Sequence, residues 1–238
     1  MKTLGLLGGM SWESTVPYYR IINQTVNERL GGLHSAKLLL RSFDFEPIEA
    51  LQADGDWAQA GAVLGEAART LEAAGAEGLV LCTNTMHRVA GAIEARTSIP
   101  LLHIADATAA AIRSAGASTV GLLGTRFTME EMFYRKRLEA AGDLQTLVPN
   151  DKSRGVVHRV IYEELCQGTI RTASREQFQQ IIAALATRGA EGVILGCTEI
   201  SMLIGPEHAP VPLFDTTAIH ARHVARWALT DAPSALRG

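Results

Sequence analysis

The chain has 238 residues, 47% of them hydrophobic and 20% charged, and its formal net charge at neutral pH is −3. That composition is ordinary for a folded globular protein and excludes a disordered chain, a collagen and a disulfide miniprotein. The small negative charge provides no broad basic surface, which argues against nucleic acid or an anionic membrane as a partner.

At about 150 residues per domain the length corresponds to roughly 1.6 domains, so one large or two small ones. The first residues carry a lysine and a short apolar run that Gly8, Gly9, Ser11 and Glu13 interrupt. That run is too short for a secretory core, and no stretch approaches the ~20 apolar residues of a membrane span. Cys82, Cys166 and Cys197 are the three cysteines, an odd and sparse set that reads as free thiols in a reducing compartment. A cytoplasmic protein with no membrane association is expected.

In chain order, short apolar runs alternate with longer helical patterns. The runs predicted as strands are Leu4–Leu7, Leu38–Phe43, Gly78–Leu81, Leu101–Ile104, Thr119–Leu123, Gly192–Leu195 and Pro212–Phe214. Between them lie Ala- and Glu-rich stretches with helical spacing, such as Trp57–Ala74 and Arg175–Thr187, and Met86–Arg96 also reads as helical. This alternation predicts an α/β fold with parallel sheets covered by helices on both faces. In such sheets ligands bind beyond the carboxyl ends of the strands, so the residues just after each run are the candidates for chemistry.

An internal repeat is the strongest feature. Gly75-Ala76-Glu77-Gly78-Leu79-Val80-Leu81-Cys82-Thr83 matches Gly189-Ala190-Glu191-Gly192-Val193-Ile194-Leu195-Gly196-Cys197 at an offset of 114. Gly5-Leu6-Leu7-Gly8 matches Gly121-Leu122-Leu123-Gly124 at an offset of 116, and Ile99-Pro100-Leu101-Leu102 matches Val211-Pro212-Leu213-Phe214 at 112. Three matches in one order predict two pseudo-symmetric, Rossmann-like α/β halves with an active-site cleft between them. The first half is taken as residues 1–104 plus 216–238 and the second as 105–215.

The repeat pairs Thr83 with Cys197, a hydroxyl and a thiol, on opposite walls of that cleft. Cys82 is one residue out of register and should point the other way, into packing. Thr83-Asn84-Thr85 and Cys197-Thr198-Glu199 each follow a buried strand and precede a helical pattern. Each is therefore expected at a helix N-terminus, where unpaired N–H groups favour a small carboxylate and the dipole lowers a thiol pKa toward neutrality. That makes Cys197 a candidate general base.

Gly8-Gly9-Met10-Ser11, Thr83-Asn84-Thr85, Gly124-Thr125-Arg126-Phe127-Thr128 and Gly196-Cys197-Thr198-Glu199 together resemble the aspartate/glutamate racemase family. The resemblance covers nearly the whole chain and is nearest to the broad-specificity and L-aspartate/glutamate-specific branch. It implies a homodimeric racemase of small α-amino acids that uses neither pyridoxal phosphate nor a metal. In the family two residues, normally both cysteines, face opposite sides of the substrate Cα; one removes the proton and the other returns one. Cys197 matches the second cysteine, and Thr83 stands where the first is expected. Asn84, Thr85 and Thr198 match positions that hold the substrate carboxylate and amino group. Thr125 and Thr128 match a loop lining the cleft, with Met10 and Gln52 at its mouth. Many aspartate racemases carry a basic residue where this chain has Cys166, so the resemblance does not extend to strict aspartate specificity.

Other residues carry weaker signals. Asp44, Glu46 and Glu49 read as a solvated face, His87 as an orienting or a structural histidine, and Glu199 as a tuner of Cys197 or a helix cap. His103 and Asp215 fall at strand ends. Asp215-Thr216 resembles a family position that orders the loop carrying Cys197. His34, His158, His208, His220 and His223 lack metal-ligand spacing, and Gly5–Gly9 is not a dinucleotide fingerprint. Trp12, Tyr18 and Tyr19 read as core or subunit interface. Two other functions stay open at the level of sequence. One is a single-cysteine decarboxylase or isomerase acting on a small dicarboxylate; the other is an amino-acid-binding module without catalysis.

Overall fold

Each sheet is built around a strand that is buried along its length. In the computed structural model, which describes residues 1–230, β1 (Leu4–Gly8) is buried at all five positions. Such a strand needs cover on both faces, and the sequence that follows supplies it. α1 (Trp12–Leu30), β2 (Leu38–Ser42), α2 (Phe45–Ala53), α3 (Trp57–Ala73) and β3 (Gly78–Leu81) lead to a short 3-10 turn at Thr85–Val89 and to α4 (Ala90–Glu94). The three strands are parallel in the order β2-β1-β3. Side chains alternate between the faces. Leu4, Leu6, Val80 and Cys82 pack against Tyr18, Ile22 and Val26 of α1, whereas Leu7, Leu79 and Leu81 pack against Leu64, Ala68 and Leu71 of α3.

The second set of elements runs α5 (Ile104–Ser114), β4 (Thr119–Gly124), α6 (Arg126–Glu130), α7 (Met132–Gly142), β5 (Gln145–Leu147), α8 (Asp151–Glu163), α9 (Thr172–Thr187), β6 (Gly192–Gly196), α10 (Ile200–Leu203), β7 (Leu213–Asp215) and α11 (Thr216–Ala228). Its parallel sheet has the order β5-β4-β6-β7. Val120, Leu122 and Ile194 pack against α5 and α7, and Leu123, Val193, Leu195 and Cys197 pack against α8 and α9. The chain divides into two compact units, residues 1–103 with the chain from His220 onward, and residues 104–219. α11 therefore starts in the second unit, while its Ala221, Val224 and Ala225 lie in the core of the first with Leu4 and Leu6.

The repeat has a physical cause. Gly75 and Gly189 both sit at φ near +98° (98° and 97°) in the turn before their strands, a conformation that L side chains adopt only at a cost. Gly78 and Gly192 open those strands under an aromatic ring. A methyl at either would lie 2.6 Å from Trp227 or from Phe214 respectively. Between them, Glu77 accepts from the Thr3 N–H at 2.7 Å. Glu191 likewise accepts from the Ser118 and Thr119 N–H groups at 2.7 and 2.9 Å. Each glutamate thus fastens the start of the neighbouring strand. The third match is structural too, since Leu79 pairs with Leu101 as Val193 pairs with Leu213.

Three local expectations differ from the structure. The Leu101–Ile104 run makes a single bridge instead of a strand, because Ile104 already opens α5. Met86–Arg96 is not one helix but the 3-10 turn followed by α4. β5 is an edge strand of three residues, Gln-Thr-Leu, and has no apolar run that would announce it. Among the described residues no helix is long and apolar enough to cross a membrane.

Candidate active site

In the first unit, β3 delivers the segment Cys82–Thr85 at its carboxyl end. Cys82 is fully buried with Leu4, Leu6 and Val80, on the face opposite Leu79 and Leu81, and burial pushes its thiol up. Thr83, Asn84 and Thr85 are buried as well. The carbonyl of Thr83 lies 2.8 Å from His87 Nδ1. A carbonyl only accepts, so His87 carries its hydrogen on Nδ1. The His87 ring lies 4.3 Å from that of His103, centroid to centroid. His220 is fixed by the same logic. Its Nε2 donates to the Leu102 carbonyl at 2.6 Å, and Tyr18 Oη lies 2.8 Å from its Nδ1. These buried rings brace the segment that carries Thr83; the sequence offered no spacing rule that would have grouped them.

Met10 and Gln52 gather on the same segment. Met10 is buried in one cluster with Met86, and the buried Gln52, on α2, approaches Met86 Sδ with its Nε2 at 3.1 Å. The first loop is tied down by the Gly9 N–H, which donates to Thr15 Oγ1 at 2.8 Å. Ser14 Oγ lies 2.7 Å from the Ser11 carbonyl and 3.2 Å from that of Cys82. Met10, expected with Gln52 at the mouth of the site, is buried, with 4% of it exposed.

In the second unit, Gly124 and Gly196 are partners on adjacent strands. The space they leave is filled by Thr128, whose methyl lies 3.1 and 3.3 Å from where their Cβ atoms would be. Thr125 caps α6, its Oγ1 accepting from the Thr128 N–H at 3.3 Å. The two hydroxyls are 3.2 Å apart, and Thr128 is wholly buried. This pair therefore packs directly behind Gly196, the residue before Cys197. Thr216 Oγ1 donates to the Leu195 carbonyl at 2.7 Å, a second tie on the strand that ends at Cys197.

Glu199 is the centre of this half. Its Oε2 lies 2.9 Å from Cys197 Sγ and 2.6 Å from Thr198 Oγ1, and its Oε1 lies 3.8 Å from Cys166 Sγ. Glu199 is 3% exposed. It makes no side-chain cap on α10. The expectation that Cys197 would have a lowered pKa is corrected here. Burial first, and the Glu199 carboxylate second, hold its thiol well above the ordinary cysteine range. The expected helix dipole is weak because α10 is a single turn of four residues, too few aligned peptides to oppose those effects. The same shortness applies to the 3-10 turn after Asn84. Burial also pushes Cys166 up, with Glu199 adding to it.

Thr83 and Cys197 occupy equivalent places, each five residues beyond the glycine that opens its strand, Gly78 or Gly192. Among the described residues no three His, Cys, Asp or Glu side chains are grouped so as to hold a metal ion.

The two parallel sheets with their matched strand ends define a two-unit α/β enzyme fold. The model of the Asp/Glu/hydantoin racemase family matches residues 7–224, and the chain belongs to that family of isomerases. It is similar over 96% of its length to the structure of a candidate Asp/Glu racemase from Yersinia pestis, all of which it covers, at 56% identity and a TM-score of 0.89. It is similar over the same share to an aspartate racemase homologue from Pyrococcus horikoshii, 99% of which it covers, at 35% identity and a TM-score of 0.82. The broad specificity amino-acid racemase RacX of Bacillus subtilis is 25% identical over 152 residues, a stretch that spans 64% of this chain and 65% of that protein.

Proposed function

We propose that the protein is a cofactor-independent racemase of small α-amino acids, aspartate, glutamate or a broader set, acting by proton transfer on both faces of Cα. Cys197 serves as one acid–base group, and Thr83 stands in place of the other cysteine. The observation that carries this reading is the equivalent placement of Thr83 and Cys197 after the matched strands β3 and β6, within a chain of this family. The names of the relatives, an aspartate racemase homologue and a broad specificity amino-acid racemase, support the substrate class.

Without a cofactor to accept electrons, the charge left at Cα must spread into the carboxylate as an enediolate. Preorganised donors stabilise such a charge, and Asn84 and Thr85 with the neighbouring N–H groups are assigned to it. Thr198 has one hydroxyl hydrogen, and Glu199 receives it at 2.6 Å. In that state Thr198 can only accept, which suits the substrate ammonium better than its carboxylate. Met10, Gln52, Thr125 and Thr128 complete the set, the last two by holding the backbone behind Cys197.

Thr83 is a far weaker acid than a thiol, so it is suited to donating a proton, relayed through water, and is poor as an unaided base. Cys197 is accordingly assigned to removing the proton of the L enantiomer. The two enantiomers have equal free energies in water, so kcat/KM is equal in the two directions. The substitution therefore cannot make the equilibrium one-way; it can slow racemisation and can make kcat and KM unequal between enantiomers. The protein is proposed to act in the cytoplasm as a homodimer whose contact surface includes the exposed stripe Trp12, Val16 and Tyr19 of α1.

The experiment is a screen of amino acids for exchange of Cα–H in deuterated water. Exchange of L-glutamate or L-aspartate, with appearance of the D form, is expected. Carbon dioxide release from a malonate without such exchange would mean a decarboxylase, and binding without exchange at high enzyme concentration would mean a binding module.

A further inference from the structure

The mechanism above leaves one proton unaccounted for. A base must be deprotonated before it acts, yet burial and a neighbouring carboxylate hold Cys197 as a thiol. Loss of its proton to bulk water would create a second negative charge in a buried place beside Glu199, the costliest arrangement available to these groups. Geometry offers another destination for the proton. Glu199 Oε2 lies 2.9 Å from the sulfur, within direct transfer distance.

We infer that Glu199 takes the Cys197 proton, so that the second half-site works as a thiol–carboxylate pair sharing one exchangeable proton. Transfer breaks S–H and forms O–H, leaving a thiolate beside a neutral carboxyl. The pair carries one negative charge before and after, so no second charge is buried. The thiolate then forms a new S–H bond with the Cα proton while the Cα–H electron pair passes into the enediolate. The carboxyl releases its proton to solvent, matching the one that solvent supplies through Thr83, and the count closes. The Thr198 hydroxyl donates to the same Oε2 and holds the carboxylate in place beside the sulfur. Glu199 acts through the sulfur and is in this sense a positioning residue. Its role in turnover rests on the racemase reading, but the pair itself does not.

A pair that shares a proton has a distinctive signature. Between its two macroscopic pKa values the fraction present as thiolate does not depend on pH. The titratable groups facing the Cys197 sulfur are Glu199 and Cys166, and trypsin separates the three cysteines, since Arg69, Arg88, Arg159, Arg171, Arg188 and Arg222 bracket them in different peptides. Iodoacetamide labelling of the full chain, read peptide by peptide, is therefore specific for Cys197. Its rate in the native protein should change by less than about threefold between pH 6 and 8, and in Glu199→Gln it should rise about tenfold per pH unit over that range, as a lone thiol does. For Cα–H exchange, Glu199→Gln should lower kcat about 100-fold with KM within about threefold, and Glu199→Asp should recover part of the loss. A native rate that rises tenfold per pH unit, or a Glu199→Gln variant with native kcat, overturns the pair. If Glu199→Gln does not fold, the native profile alone decides. If the native protein exchanges no amino acid yet shows the plateau, the racemase reading fails and the pair stands.

Discussion

A hydroxyl and a thiol at matched positions are chemically unequal, and the sharpest expectations concern these two residues. Cys197→Ala should reduce Cα–H exchange by about 10³-fold or more, within the range for loss of an acid–base group; full exchange in that variant would remove Cys197 from the mechanism. Thr83→Cys restores a group that can be both acid and base. It should raise turnover from D to L by about tenfold or more, measured by polarimetry, and a neutral result would reduce Thr83 to a binding residue. The pairing of Thr83 with Cys197 was legible because each motif ends a repeated strand. The environment of Cys197 was not. Sequence spacing suggested a lowered pKa from a helix start, but whether a thiol is buried and which carboxylate touches it depend on how β6, α10 and the turn holding Cys166 pack.

Among the elements, the repeat owes its identity to two tight turns and two glutamate anchors. Gly189→Ala puts a side chain at φ 97° and should cost about 1 kcal/mol or more, lowering Tm by roughly 2–4 °C in a chain of this size. Gly91→Ala, in α4 with nothing near its would-be Cβ, should leave Tm unchanged or raise it. Calorimetry on the pair separates strain from a general intolerance of change. Glu191 is held below the usual glutamate range, chiefly by the Thr119 and Ser118 N–H groups. A carboxyl lowered on folding contributes stability that is present above the unfolded glutamate pKa and is lost as pH falls through the folded one. Acid unfolding should therefore be less steep in Glu191→Gln than in the native protein, followed by circular dichroism; identical acid limbs would mean the anchor carries no linkage. These elements were readable wherever an apolar run had to be buried on both faces. β5 escaped because an edge strand three residues long needs no such run, and the Leu101 bridge was over-read because Ile104 belongs to the next helix.

At the level of the whole molecule, each unit has its own two-sided core, and α11 links them by starting in one and packing in the other. The exposed Trp12, Val16 and Tyr19 recur at helical spacing on α1, with Trp12 61% and Tyr19 58% accessible. An apolar stripe of this kind is a mark of an interaction surface. Sedimentation should give a dimer for the native chain and a monomer for the Trp12→Glu, Tyr19→Glu double variant; a native monomer would end that assignment. The sequence by itself determined the α/β class, the doubling of the unit, the family and the matched placement of Thr83 and Cys197 after the repeated strands. It could do so because burial on two faces, a left-handed turn and a repeated strand end each demand particular residue types at fixed spacing. Only the tertiary structure decided the burial of Cys197, the place of Glu199 between two thiols and the bracing of Thr83 by buried histidines. Those depend on desolvation and on contacts between residues distant in the chain, to which no local pattern is bound.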